Sequence, residues 1–151
     1  MKKEVTSEQL MKSIGQSIGL NLKGGEVIEL IGDVGVGKTT FTKGLAVGLG
    51  ISETIQSPSF TINRVYDGRD GLILSHYDFY RLNNAGILSS EIQDSINDEK
   101  TVVVIEWSGA VADVLPDDRL IINIDAINDE KRSLLFTSGG SKSQAILEGI
   151  K

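Results

Sequence analysis

Eight consecutive residues, 32–39 (GDVGVGKT), combine glycines, a lysine and a threonine at a spacing that suits phosphate chemistry. The spacing fits G-x-x-x-x-G-K-[ST], the phosphate-binding P-loop. Glycines let the backbone turn several N–H groups onto one anion, the ammonium of Lys38 can reach the outer phosphates, and the hydroxyl of Thr39 can hold Mg²⁺. The stretch therefore predicts a site for a nucleoside triphosphate with magnesium.

The residues on either side predict the strand and the helix that position such a loop. Residues 27–31 form an apolar run typical of a buried strand. A helical repeat of apolar side chains follows the loop, at Phe41, Leu45 and Leu49. Gly44 and Gly48 share this spacing and predict that the helix lies close to a sheet, and Gly50 is a natural helix end. This order aims a helix N-terminus at a phosphate group.

A P-loop that hydrolyses its nucleotide needs an acidic residue at the end of a neighbouring strand, where it orients Mg²⁺. Three acidic residues end apolar runs: Asp78, Glu106 and Asp125. Glu106 follows the clearest buried strand of the chain, the β-branched run 101–105. Asp78 follows a strand within a polar cluster, whereas Asp125 is more typical of a solvated strand end.

Further polar and aromatic side chains are weaker candidates. A hydroxyl from the loop after a P-loop helix contacts Mg²⁺ and the γ-phosphate in nucleotide switches, and Ser57, Ser59 and Thr61 occupy that position; a simple polar turn is an equal alternative. Trp107, the only tryptophan, lies either in packing or near the nucleotide or a partner. His76, the only histidine, is more typical of a structural hydrogen bond than of a base.

The remaining pattern predicts an α/β protein with a mixed sheet and antiparallel hairpins, in one domain of 151 residues. Thr6 is predicted to cap the first helix, with Gln9 in a capping box and an apolar stripe at Leu10, Ile14 and Ile18. The other predicted elements are strands at 60–66, 72–78, 101–106, 120–124 and 133–137, and helices within 83–99 and after 139–140. Nucleotide should lie at the carboxyl ends of the parallel strands.

Composition limits the partners. The formal net charge is −6 and no long lysine or arginine run is present, so tight direct binding of nucleic acid by this chain alone is not expected. An acidic surface suits solubility or a basic protein partner. The absence of cysteine excludes disulfides, and the chain shows neither a leader pattern nor an apolar membrane span. These features predict a cytoplasmic protein with no membrane partner.

Four segments together go beyond a general P-loop. In chain order they are residues 32–41, SPSFTI at 57–62, HYDFYRL at 76–82 and IEW at 105–107. This combination closely resembles the bacterial TsaE family (formerly YjeE), the small ATPase of tRNA threonylcarbamoyladenosine biosynthesis. The resemblance spans nearly the whole chain. It implies a P-loop NTPase fold, with a mixed and mostly parallel sheet flanked by helices and antiparallel hairpins.

The resemblance also implies roles for individual residues. Mg²⁺ would be held by Thr39 and Glu106, and Asp78 would orient the attacking water. Catalytic roles fall on Lys38, Asp78, Glu106 and, in a segment resembling the family's first switch, Thr61. The residues implied in ATP binding are Asp33, Val34, Gly35, Val36, Gly37, Lys38, Thr39 and Thr40, with Thr6 and Arg132 near the adenine.

The family acts with the proteins TsaB and TsaD. TsaD transfers the threonylcarbamoyl group to adenosine 37 of tRNA, and TsaE supplies an ATPase step that resets the complex, so tRNA would be reached only through the complex. Because no arginine is fixed in the loop, we expect slow intrinsic hydrolysis that partners accelerate. The alternatives are a small-molecule kinase, which usually needs an arginine-bearing lid, a GTPase, whose Asn-Lys-x-Asp motif is absent, and a nucleotide-binding scaffold.

Overall fold

The computed structural model describes residues 1–58, 61–82, 84 and 86–150. The strands are β1 (Lys2–Val5), β2 (Val27–Ile31), β3 (Asn63–Asp67), β4 (Ile73–Asp78), β5 (Thr101–Glu106), β6 (Leu120–Ala126) and β7 (Arg132–Ser138). The α-helices are α1 (Glu8–Leu20), α2 (Lys38–Gly48), α3 (Leu88–Asn97) and α4 (Ser141–Gly149). In the described part of the chain, no helix is long and apolar enough to cross a membrane.

All seven strands form one mixed sheet in the order β1-β7-β6-β2-β5-β4-β3. The four central strands, β6-β2-β5-β4, run parallel to one another. The outer pairings, β1-β7, β7-β6 and β4-β3, are antiparallel. The predicted α/β class and mixed sheet are confirmed, with the parallel pairings confined to the centre and the predicted hairpins at the edges.

Helices cover both faces of the sheet. Side chains from α1, α2 and α4 pack with one set of strand residues in the larger core cluster, which includes Phe41, Leu45 and Leu49 as predicted. On the opposite face, Ile92 of α3 packs with Tyr77, Val103 and Ile105 in a smaller cluster. Burial of both faces explains why residues 102–105 of β5 are all apolar and β-branched.

The parallel register brings three strand ends to the same level. Leu30 of β2 lies opposite Glu106 of β5, and Glu106 lies opposite Asp78 of β4. The P-loop follows β2 directly, so both acidic residues lie at the edge of the sheet from which the loop emerges. This is the position where open α/β sheets bind ligands.

The first helix begins one residue later than predicted. Ser7, not Thr6, is the N-cap, and its hydroxyl accepts a hydrogen bond from the backbone N–H of Leu10 at 3.1 Å. The sequence did not predict β1, whose pairing with β7 keeps the chain extended through Val5. The buried face is shifted at its start, since Leu10 is exposed whereas Met11 and Gly15 are buried; Ile18 is buried as predicted.

Strand β3, the first strand of the hairpin with β4, also differs from its prediction. The strand predicted at 60–66 begins at Asn63, and Phe60 lies outside the described residues. Thr61 and Ile62 form a turn in which both backbone N–H groups donate to the carbonyl of Pro58. Ile62 has φ of 71°, a conformation that cannot continue a strand.

The glycines of α2 face another helix rather than the sheet. A Cβ atom on Gly44 would lie 2.1 Å from the carbonyl oxygen of Lys12, and one on Gly48 would lie 2.4 Å from that of Gln16. Both contacts are with the backbone of α1, which cannot yield as a side chain end could. The prediction of an approach to the sheet was wrong because the facing surface is supplied by α1.

We therefore expect Gly44→Ala to lower the free energy of unfolding by about 1–3 kcal/mol, through overpacking against α1. Helix propensity alone would predict the opposite sign, a gain of about 1 kcal/mol for alanine. The measurement is chemical denaturation of the purified variant. Gly109→Ala is the matched control, because a Cβ there meets no atom within 4 Å; a stable Gly44→Ala protein would contradict the close helix contact.

Candidate phosphate-binding site

The P-loop adopts a backbone conformation that requires its glycines. Gly35 has φ of 79° and Gly37 has φ of 119°, values that L-residues rarely adopt. Gly37 is the N-cap of α2, which begins at Lys38 without a side-chain cap. The first N–H groups of α2 are thus left for a ligand, in the arrangement that binds anions at helix N-termini.

A cavity of about 420 Å³ lies in front of this loop. We call it the P-loop cavity. Backbone from the loop and the start of α2, the ends of β4 and β5, and the segment before β3 all contribute to it. Its lining residues are Val34, Gly35, Gly37, Lys38, Thr39, Thr40, Ser57, Asp78, Tyr80, Arg81, Glu106 and Trp107.

The ammonium of Lys38 is held inside the loop. It donates hydrogen bonds to the backbone carbonyls of Gly32 and Asp33 at 2.5 and 3.0 Å, and it lies 4.7 Å from the ring centroid of Trp107. Burial lowers the pKa of the Lys38 ammonium from its ordinary value, and the negative charges of Glu106, Asp78 and Asp33 oppose this shift. An anion bound in the cavity would favour the charged amine further.

Two buried carboxylates face this ammonium from neighbouring strands. Glu106 is 3% exposed and accepts a hydrogen bond from Nε2 of His76 at 2.6 Å through its Oε2 atom. Asp78 is also 3% exposed, and its Oδ1 atom accepts from the backbone N–H of Tyr80 at 2.9 Å. The structure therefore brings Lys38, Asp78 and Glu106 together, as the sequence predicted.

The donor set suits a magnesium ion that is shared with a ligand. Among the described residues, no group of three or more His, Asp or Glu side chains could hold a metal ion without other ligands. Thr39 and Glu106 supply one hydroxyl and one carboxylate to the same cavity. Mg²⁺ usually keeps several waters and takes its remaining oxygens from substrate phosphates, so this sparse set fits it.

Trp107 lines the P-loop cavity and also packs against a neighbouring ring, and its place near a nucleotide stays a prediction. Its backbone is left-handed, with φ of 55°, immediately after the end of β5. Its ring packs against that of Tyr80 with centroids 4.8 Å apart, and it also contacts the ammonium of Lys38. The indole thus forms part of the cavity wall beside the loop.

The segment before β3 reaches the cavity through Ser57, whereas Thr61 is exposed and lies outside the lining of the P-loop cavity. Ser59 lies outside the described residues. The segment is tied to the site through the backbone, because the N–H of Asp78 donates to the carbonyl of Ile62 at 2.8 Å. A role for Thr61 stays a prediction.

A second cavity of about 410 Å³ lies on the other side of the P-loop and shares Gly35, Gly37 and Thr40 with the first. Thr6 and Arg132, the predicted adenine-side residues, both line it. The Nε atom of Arg132 donates to the carbonyl of Val36 at 3.0 Å, which supports the loop from behind. The shared lining places the two cavities side by side around the start of α2.

Other candidates lie elsewhere. Asp125 is exposed on β6, on the side of β2 away from Glu106, and lines two other cavities together with Asp33. The sequence did not predict that Arg81 lines the P-loop cavity. Its only sequence signal is its place three residues after Asp78, and the fold shows that Tyr80 and Arg81 line the same cavity as Asp78.

A central parallel sheet, a glycine loop leading into a helix, and an acidic residue at the end of the adjacent strand define the P-loop class of α/β proteins. Comparison with known proteins narrows this class. The family model described as threonylcarbamoyl adenosine biosynthesis protein TsaE matches residues 5–134. The chain belongs to the TsaE family.

Individual relatives agree with the family match. The chain is 36% identical to the tRNA threonylcarbamoyladenosine biosynthesis protein TsaE of Bacillus subtilis, over 99% of this chain and 93% of that protein. It is 40% identical to the protein of the same name from Treponema pallidum, over 80% of this chain and 87% of the relative. The crystal structure of Bacillus subtilis YdiB superposes with a TM-score of 0.81 at 33% identity, covering 99% and 93% of the two chains.

The position of Trp107 provides a direct binding assay. We expect MgATP to change the intrinsic fluorescence of the protein, because a ligand that draws Lys38 onto its phosphates alters the cation–π contact with the only indole. Lys38→Ala should abolish the saturable change. Lys43→Ala, an exposed lysine on the same helix, is the control and should keep it; a Lys38→Ala protein that responds like the wild type would contradict this site.

Proposed function

We propose that this protein binds MgATP in the P-loop cavity and hydrolyses it to ADP and phosphate, in support of threonylcarbamoyl modification of tRNA adenosine 37. The observation that carries the proposal is the convergence of Lys38, Thr39, Asp78 and Glu106 on one cavity at the N-terminus of α2. These groups come from three elements, α2, β4 and β5, so a chance cluster is a poor explanation.

The loop backbone and Lys38 would bind the triphosphate. The uncapped N–H groups at the start of α2 can donate to phosphate oxygens, and the helix dipole favours negative charge there. Lys38 would exchange its bonds to the carbonyls of Gly32 and Asp33 for bonds to the outer phosphates. Because the amine is already buried beside the cavity, it would need only a local rearrangement to do so.

Thr39 and Glu106 would hold Mg²⁺, which when bound neutralises charge on the phosphate oxygens. Asp78 would orient the attacking water, because its carboxylate lies at the same level as Glu106 on the adjacent strand. The hydrogen bond from the backbone N–H of Tyr80 fixes one of its oxygens. Electrostatic positioning of this kind supplies most of the catalysis in phosphoryl transfer.

The base of the nucleotide would occupy the second cavity, between Thr6 and Arg132. A ligand that spans both cavities passes the shared residues Gly35, Gly37 and Thr40, which agrees with a triphosphate lying over the loop. Arg132 would act on the loop through its bond to Val36 as well as by lining the base site.

The wider role follows from the relatives. Those described above are tRNA threonylcarbamoyladenosine biosynthesis proteins, and the proposal extends this role to the present chain. We propose that it acts in the cytoplasm with TsaB and TsaD and reaches tRNA only through that complex. The net charge of −6 supports this arrangement, because a protein that neutralised tRNA phosphates by itself would need a basic surface.

Glu106→Gln tests the hydrolytic role. We expect the variant to bind ATP yet to release phosphate at least about 100-fold more slowly, since the amide cannot replace the carboxylate at the metal. The measurement is phosphate release without any added acceptor, which also separates an ATPase from a small-molecule kinase. Asp125→Asn is the control and should be unaffected; full turnover by Glu106→Gln would favour a nucleotide-binding scaffold.

Addition of TsaB and TsaD should raise the turnover number above that of the isolated chain. Arg81 lines the P-loop cavity and is exposed, so a docked partner could place its guanidinium against the phosphates. An arginine placed there is worth about 10³–10⁵ in rate in related chemistry. Steady-state phosphate release with and without the two proteins measures the effect, and fast turnover by the chain alone would contradict partner activation.

A further inference from the structure

We infer that His76 is a positioning residue for the proposed magnesium ligand: its imidazole fixes the orientation of the Glu106 carboxylate. The inference rests on the proposed function, because the orientation of the Glu106 carboxylate matters here only if that carboxylate binds a metal ion. It concerns a side chain that lines neither of the two cavities around the P-loop. His76 would therefore act through Glu106 and not on the nucleotide.

The contact between the two side chains is short and fully shielded. His76 Nε2 and Glu106 Oε2 lie 2.6 Å apart, with 0% and 4% of their side chains exposed. They come from the adjacent parallel strands β4 and β5, whose register is fixed over six residue pairs. With no water to compete for the bond, the imidazole N–H holds one carboxylate oxygen in a defined place.

The chemistry of the pair sets the tautomer of His76. An ionised carboxylate can only accept, so the proton of the shared hydrogen bond belongs to Nε2. A neutral imidazole then has a lone pair on Nδ1, and this atom is buried with no hydrogen-bond partner among residues 1–58, 61–82, 84 and 86–150. In the neutral imidazole, the single N–H group is therefore the one that donates to Glu106.

The neighbouring strand carries a complementary group. Arg64 of β3 is the register partner of His76, so the two residues lie on the same face of the sheet. The Nε atom of Arg64 is likewise buried without a partner in the described part of the chain. Arg64, His76 and Glu106 therefore lie on one face of three adjacent strands, although neither the Nε atom of Arg64 nor the Nδ1 atom of His76 has a hydrogen-bond partner in the described part of the chain.

Burial of His76 and Arg64 with nitrogen atoms that have no hydrogen-bond partner is unfavourable for the stability of the fold alone. A buried imidazole with one unsatisfied nitrogen costs stability compared with an apolar side chain of similar size. The site lies in the core face of the sheet, beside Leu74 and Val104, where an apolar residue would pack well. Residues that hydrogen-bond to metal ligands orient those ligands, which can compensate for such a cost in stability. Their loss lowers metal affinity or activity about 10–100-fold.

The test compares ATP affinity with Mg²⁺ and with EDTA, measured by calorimetry. His76→Leu should reduce the enhancement of ATP affinity by Mg²⁺ by about 10–100-fold, while the affinity in EDTA stays at the wild-type value. A structural defect would weaken both affinities together. When Glu106→Gln is already present, His76→Leu should not change the Mg²⁺ enhancement further. The reason is that His76 acts only through the Glu106 carboxylate, which this variant lacks.

Two amide variants, His76→Gln and His76→Asn, form a matched pair. They test the inference even if His76→Leu does not fold. His76→Gln can place an N–H donor near the position of Nε2 and should keep the Mg²⁺ enhancement. His76→Asn is one methylene shorter and should lose it. The inference is overturned if His76→Leu or His76→Asn keeps the full enhancement, or if all variants weaken binding equally with and without Mg²⁺. Failure of the wild-type protein to bind MgATP would instead refute the proposed function, and this inference with it.

Discussion

The site depends on the parallel register of β2, β5 and β4. This register sets Leu30, Glu106 and Asp78 at one level, directly beneath the point where the P-loop leaves β2. The strands and the start of α2 together bring two carboxylates and one ammonium out of water within the same small region. Buried charges are tolerated when they compensate one another and are hydrogen-bonded, and here each has such a partner.

Rigid surroundings keep the charged groups in place. The N-terminal end of α2 carries Lys38, and its later turns are held by the close backbone contact with α1 through Gly44 and Gly48. Arg132 supports the loop from behind, through the carbonyl of Val36. A site built on such elements varies less in geometry than one built on loops alone, which benefits chemistry that relies on electrostatic positioning.

Much of this arrangement was predictable from local pattern. The P-loop is contiguous, so its chemistry and the flanking strand and helix follow from spacing alone. The buried strand 101–106 was predicted with correct bounds because its β-branched run has no competing interpretation. The convergence of Lys38, Asp78 and Glu106 was also predictable, since carboxyl ends of parallel strands meet at one edge.

The errors share a physical cause, which is pairing between residues distant in sequence. The strand β1 has only four residues and exists because it pairs with β7, and this pairing moved the helix cap from Thr6 to Ser7. Gly44 and Gly48 face α1, and no periodicity within α2 could show which element lies opposite. Ile62 continues an alternating pattern, yet the turn at Pro58 places it outside the strand.

The sequence by itself determined the α/β class, the phosphate-binding loop and the acidic candidates at strand ends, because each depends on neighbouring residues or on a short repeat. Only the tertiary structure decided that Asp125 lies away from the P-loop cavity, that His76 bonds to Glu106, and that Trp107, Arg81 and Arg132 line the cavities around the P-loop. These contacts join residues about 30 to 100 positions apart. Their partners are set by strand order and register, which are properties of the whole sheet and not of any one segment.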